Sequence, residues 1–292
     1  MTVDERDWLA ERFEEHREHL RGVAYRMLGS LSDADDAVQE GWLRLSRSDA
    51  SGVENLGGWL TTVVARVCLD MLRTRKSRGE VSLDGHVGEP VVSRDDSTHP
   101  EHETLMADSV GLAMLVVLET LDPAERVAFV LHDMFAVPFD RIASILERSP
   151  AATRQLASRA RRRVRGTAVV PDADLTRQRQ VVDAFLAAAR RGDFEALLAL
   201  LDPDVVVRAD RAVPAGVPRE GRGAAALAAG AVKGGARAAR PALVDGVVGV
   251  VVAPLGRLRM VLRLTIADGR IVEVDAVAEP ERLRQIELAV LD

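Results

Sequence analysis

Between Trp8 and Arg78 the apolar residues return at intervals of three and four, so that Leu9, Phe13, His16, Leu20, Val23 and Met27 fall on one stripe of a helix. Gly29 and Ser30 end that helix and a second starts near Ser32. A third runs from about Gly58 to Arg75, with Leu60, Val63, Val64, Val67, Cys68, Met71 and Leu72 on its apolar side. Residues 79–104 have no such period and are rich in Gly, Pro, Ser and acid, the composition of a solvated linker. The helical pattern resumes from Leu105 to Arg165. Within it Asp122, Pro123 and Glu125 spell an N-cap, a first-turn proline and a capping-box carboxylate, and Ser149 with Pro150 repeats the cap-plus-proline signal. Phe139, Ile142, Ala143 and Leu146 make a short amphipathic helix, Glu147 to Pro150 a tight turn, and Ser149 caps the next helix. That is helix-turn-helix spacing.

Beyond Val164 a short linker leads to Thr176–Leu201, which reads as two helices broken at Gly192. Val205 to Val207, Leu243 to Val252 and Arg257 to Val277 are β-branched runs. In the last, Leu258, Met260, Leu262, Leu264 and Ile266 alternate with Arg259, Val261, Arg263 and Thr265 at period two, and Asp268-Gly269 marks a hairpin turn. Helices followed by strands predict a separate α+β module, and no internal repeat suggests a solenoid.

Composition narrows the class. The chain has 292 residues, enough for two domains or one large one, with 47% hydrophobic and 29% charged residues, the balance of an ordinary soluble protein. The single cysteine, Cys68, lies in an apolar stretch and can close no intramolecular bridge, which fits a reducing compartment and a core role. The N-terminal segment is charged and helix-patterned, unlike an export signal. The apolar runs Val110 to Leu118 and Val247 to Leu255 fall short of the roughly 20 residues needed to cross a bilayer, so the expectation is a cytoplasmic protein with no membrane partner.

The net charge of −6 hides an uneven distribution. Residues 1–166 carry 22 Lys and Arg against 28 Asp and Glu, yet four basic residues fall between Arg73 and Arg78 and seven between Arg148 and Arg165, with no acid inside either window. On the helix after Ser149, Thr153, Leu156, Ala157, Ala160 and Val164 face inward. Arg154, Gln155, Ser158, Arg159, Arg161, Arg162 and Arg165 face outward. Such a face suits a major groove, where Arg pairs with guanine, Gln with adenine, and further arginines meet phosphates. The alternative for so basic a helix end is a solvated face that favours the helix dipole. Trp59, the threonines after it and the basic end of its helix could hold a single strand by stacking and phosphate contacts, although a Trp at this spacing is more often core.

The segments LSDADDAVQEGWLRL, WLTTVVARVCLDMLRTRKSR and LDPAERVAFVLHDMFAVPFDRIASILERSPAATRQLASRARRRVR, in that order over about residues 8–166, resemble bacterial extracytoplasmic-function sigma factors. The resemblance implies a subunit that directs core RNA polymerase to specific promoters. Its residues imply that Asp33, Asp36, Gln39, Glu40 and Arg44 dock on the β′ coiled coil. Trp59, Thr62, Arg66, Arg73, Arg75 and Lys76 would meet the minus-ten element, and Arg154, Gln155, Ser158 and Arg162 the minus-thirty-five element. The partners implied are core RNA polymerase, through its β′ coiled coil and β flap, and promoter DNA. For the acidic cluster the plainer reading is an ordinary helix N-terminus.

Residues from about Leu175 onward, with VVDAFLAAARRGDFEALLALLDPDVVVRAD and DGRIVEVDAVAEPERL, resemble the SnoaL-like module of nuclear-transport-factor-2 type that the SigJ-like subgroup carries. Two departures stand out. His86 to Pro90 reads HVGEP where that subgroup has a WLPEP-like linker, and Asp210 is followed by Arg211, Ala212, Val213 and Pro214 in place of a Gly-rich stretch. The resemblance implies two all-α sigma domains, the second with a helix-turn-helix, and an α+β cone-like domain. The boundaries are 1–78, a linker 79–104, 105–166, a linker 167–174, and 175–292. The last domain is expected to contact the chain's own sigma regions and modulate them in cis. A stand-alone helix-turn-helix regulator with a ligand-sensing tail is the alternative.

Related cone folds catalyse with Asp, His or Tyr, but all six histidines and the single tyrosine precede residue 133, leaving Asp210 or Asp275 as the candidate base. A regulatory role is the better fit, with no catalytic residue and no cofactor. His99, His102 and Glu103 in the polar linker fall short of a closed metal-ligand set, so no metal is expected.

Overall fold

The computed structural model describes residues 3–48, 55–77, 111–166, 172–214, 220–233 and 236–291. The linker reading of 79–104, the HVGEP segment and the His99, His102, Glu103 cluster lie outside these residues. The chain forms two compact units, one from residues 1–97 and 121–161, the other from 98–120 and 162–292.

Three long helices open the first unit: α1 (Val3–Leu28), α2 (Leu31–Arg47) and α3 (Leu56–Ser77). Gly29, at φ 74°, lets the chain reverse after α1, and the Ser30 hydroxyl accepts from the Asp33 amide to cap α2. Leu9, Phe13, Leu20, Val23 and Met27 are buried as the stripe predicts, while His16 is only half-buried. On α3, Val63 and Met71 are half-buried and Thr61, Ala65 and Leu69 are buried in addition to the expected residues, because neighbouring elements enclose this helix on more than one side. Gly41 of α2 lies so close to α3 that a Cβ there would come within 2.9 Å of Val64 Cγ2.

The same unit continues with α5 (Pro123–Phe129), a π-helical turn (Val130–Met134), α6 (Phe139–Leu146) and most of α7 (Pro150–Arg165). Asp122 sits at the N-cap of α5 with Pro123 in the first turn, but its side chain makes no cap hydrogen bond. It ion-pairs instead with Lys76, a long-range partner that local spacing cannot show. The turn between α6 and α7 passes through Glu147 at φ 54°, a left-handed conformation that costs a non-glycine residue roughly 1–2 kcal/mol. The Ser149 hydroxyl accepts from the Ala152 amide at 3.2 Å and starts α7 as its sequence announces.

The second unit contains α4 (Leu112–Glu119), α8 (Asp172–Arg191), α9 (Phe194–Leu200), α10 (Ala224–Lys233), the short α11 (Pro280–Leu283) and a seven-stranded sheet. The strands are β1 (Leu201–Ala209), β2 (Glu220–Arg222), β3 (Ala239–Val244), β4 (Val247–Val252), β5 (Met260–Ala267), β6 (Arg270–Val277) and β7 (Leu288–Ala289). They run in the order β2-β1-β6-β5-β4-β3-β7, with β1 and β6 parallel and every other pair antiparallel. Phe185, Leu186 and Leu197 pack on Val205, Val207, Val248, Val250 and Leu264, so the core lies between the helices and one face of the sheet.

Helix α8 begins at Asp172, before Thr176, and Leu201 opens β1 where the pattern placed it at the end of a helix. Leu243–Val252 is two strands, because Asp245 and Gly246, at φ 50° and 82°, form a tight hairpin like that at Asp268-Gly269. Among the described residues no helix is long and apolar enough to cross a membrane.

Candidate nucleic-acid and polymerase interface

Helix α7 has the two faces its sequence predicts. Thr153, Leu156, Ala157, Ala160 and Val164 are buried, and Arg154, Gln155, Ser158 and Arg162 are exposed. The outward reading holds at Arg159, which is exposed, and is corrected at Arg161, which is half-buried. Arg159 pairs with Glu125, whose side chain is only 5% exposed, at 3.0 Å, and Arg161 pairs with Asp133 at 2.5 Å. These two arginines fasten α7 to the elements beneath it, which leaves readout to the others. Arg154 lies over the Phe139 ring, 5.5 Å from its centroid.

On α3, Trp59 and Thr62 are half-buried, and the Thr62 hydroxyl donates to the Gly58 carbonyl of its own helix. Arg66 and Arg73 are exposed. Arg66 Nη2 donates to the Ser144 carbonyl of α6 at 3.2 Å, and Arg73 faces Asp70 at 3.9 Å. Arg141, also of α6, packs against Gly58, where a Cβ would collide with its guanidinium at 2.2 Å. Lys76 pairs with Asp122. The proposed minus-ten residues Arg66 and Lys76 therefore engage elements of the second helical block within this unit.

Arg75 and Asp33 belong to different predicted surfaces, yet the structure joins them at 2.6 Å, and Arg75 Nη1 also donates to the Leu28 carbonyl at 3.2 Å. One guanidinium thus ties the end of α1 and the start of α2 to α3. Asp36 and Gln39 are exposed on α2, and Glu40 pairs with Arg44 one turn on at 2.9 Å. Leu43, exposed among them, adds an apolar spot that the motif reading passed over. Cys68 is fully enclosed beside these groups, and burial pushes its thiol up to about 12, so it is inert at neutral pH.

In the second unit the two candidate bases are part of the framework. Asp210 Oδ2 accepts the amides of Ala278 and Glu279, both at 2.9 Å, and Oδ1 accepts the Ala212 amide at 3.1 Å. Arg282 lies 3.4 Å away, and the Asp210 side chain is 4% exposed. Asp275 sits between Arg263 and Arg282, each at 3.6 Å. Among the described residues no group of three or more His, Cys, Asp or Glu is arranged to hold a metal ion.

The unit also holds two pieces of the second helical block. Helix α4 packs against β3, β7 and the turn at Pro254–Gly256, with Leu115, Val116, Val117 and Leu118 all buried. The Val290 amide donates to the Val164 carbonyl in the last turn of α7 at 2.9 Å. Gly166, at φ 62°, approaches so closely that a Cβ would fall 2.3 Å from that of Ala289.

Residues 12–78 match the Sigma-70 region 2 family and residues 112–164 the Sigma-70 region 4 family. The chain is 34% identical over 296 residues to the probable ECF RNA polymerase sigma factor SigI of Mycobacterium tuberculosis, covering 96% of this chain and 97% of that one. It is 44% identical over 199 residues to the ECF RNA polymerase sigma factor SigJ of the same organism, covering 68% of this chain and 64% of that one. The crystal structure of M. tuberculosis SigJ aligns at 36% identity and a TM-score of 0.46, over 94% of this chain and 98% of that one.

Proposed function

The chain belongs to the extracytoplasmic-function sigma factors, subunits that direct core RNA polymerase to promoters, and we propose a division of labour among its faces. Asp36, Gln39, Glu40 and Arg44 of α2 dock on the β′ coiled coil. Trp59, Thr62, Arg66, Arg73 and Lys76 of α3 meet the minus-ten element. Arg154, Gln155, Ser158 and Arg162 of α7 read the minus-thirty-five element, and the second helical block meets the β flap. Asp33 and Arg75 serve from behind as the brace that keeps α2 and α3 in register. The observation that carries this reading is α7: a buried stripe opposite exposed Gln155, Ser158 and Arg162, in a window with no acid. A stand-alone regulator would account for the helix-turn-helix but not for the region 2 match over residues 12–78.

The sheet-containing unit acts as a cis modulator in the cytoplasm and not as an enzyme, since Asp210 and Asp275 are occupied in holding it together. What supports cis action is its hold on α4 and on the last turn of α7. Burying four apolar side chains contributes on the order of 1.5–3 kcal/mol each, so α4 does not leave the sheet unaided. Deleting residues 172–292 is expected to change promoter-dependent output of core polymerase several-fold across a full titration. In the intact chain, Val290→Pro removes one amide donor worth about 1 kcal/mol and should lower output about fivefold by loosening the end of α7. Unchanged output from both proteins would refute cis modulation.

A further inference from the structure

The region beneath α7 contains an arrangement that polymerase docking and the helix-turn-helix do not require. His132, in the π-helical turn, donates from Nδ1 to the Val137 carbonyl at 3.1 Å, which fixes the plane of its imidazole. That ring stacks on Phe139, centroids 3.8 Å apart and planes inclined by 27°. The Arg154 guanidinium also lies over this phenyl ring, 5.5 Å from its centroid. Two ion pairs, Arg159 with Glu125 and Arg161 with Asp133, fix the rotation of the helix from which Arg154 projects. Glu125, Asp133 and His132 come from α5 and the π-helical turn, whose wider backbone is a local form that recurs at functional sites.

We infer that Phe139 and His132 are positioning residues for promoter readout, holding the Arg154 guanidinium preset near the start of the reading helix. This rests on the reading of α7 as the minus-thirty-five helix. An unrestrained Arg side chain gives up several rotamers on binding, whereas one already held by an aromatic face gives up fewer. A ring face attracts the cation through its quadrupole and uses none of its N–H donors, so those donors stay available for the O6 and N7 of a guanine. Arg154 lies about one turn into α7, the part of a recognition helix that meets base edges. Arg162, two turns further on, has no ring to rest on among the described residues and suits a less demanding contact.

The test is a double-mutant cycle in the full-length protein with core polymerase, transcribing promoters randomised upstream of a fixed minus-ten element and reading the preference at each base pair. Arg154→Ala should flatten the preference at one upstream position by about tenfold. Phe139→Leu should weaken it at that same position by about threefold and leave the others unchanged. Combined with Arg154→Ala it should add nothing, and Phe139→Tyr, which keeps the ring face, should restore the preference. An even loss at all positions with Phe139→Leu, a loss that persists in the Arg154→Ala background, or no loss at all would overturn the positioning role. If Arg154→Ala flattens no position, the assignment of Arg154 as a reader falls, and the positioning role with it.

Discussion

Replacing both Gln155 and Arg162 with alanine will lower promoter-dependent transcription by roughly a hundredfold while leaving the helical unit folded. Both side chains are exposed, and among the described residues Arg162 has no ion-pair partner, so their removal leaves no buried group unsatisfied. Each specific base or phosphate contact is worth roughly 1–3 kcal/mol, and two of them give the expected factor. Arg159→Ala and Arg161→Ala are the informative contrast. Those arginines look equivalent along the sequence, but they pair with Glu125 and Asp133, so their loss should show in thermal stability as well as in transcription. Paired run-off transcription and circular-dichroism melting of the variants separate the two groups. Equal behaviour of all four arginine and glutamine positions would contradict the division of these residues into readers and fasteners.

Asp210→Ala will unfold or severely weaken the sheet-containing unit. The substitution leaves the amides of Ala212, Ala278 and Glu279 without their acceptor and takes from Arg282 a nearly buried partner. Losses of this kind run to roughly 3–5 kcal/mol, a large part of the 5–15 kcal/mol that holds an ordinary domain folded. Urea unfolding of the full chain should show the destabilisation directly. Undiminished stability would return Asp210 to consideration as a reactive group, because the clasp would then be unnecessary.

The stretches legible in the sequence are those whose information is local. The inward stripe of α7, the Ser149 cap and the Asp268-Gly269 hairpin each depend on residues within a turn or two of one another, and each is found where the spacing puts it. Long-range pairs are illegible for the opposite reason. Arg75 meets Asp33 across 42 residues and Asp210 meets the amides of Ala278 and Glu279 across 68 and 69, distances at which charge sign alone selects no partner. That is why Asp33 and Arg75 read as members of separate binding surfaces and turn out to be joined. Helix α10 escaped notice because its alanine-rich sequence has no polar stripe to give it a period. The Asp245-Gly246 turn is written in the sequence, but valines on both sides of it make residues 243–252 read as a single strand.

Net charge is a poor guide to partner here. An acidic body carrying basic faces should bind promoter DNA weakly alone, with strong salt dependence, and tightly when polymerase brings both faces onto the duplex. The central claim is that this chain is a promoter-specificity subunit. Run-off transcription with purified core polymerase, on the DNA upstream of the chain's own coding region, tests it most directly. The expected result is a discrete transcript only when protein and core enzyme are both present. A mobility shift on that DNA of equal affinity with and without core enzyme, and no transcript, would contradict it.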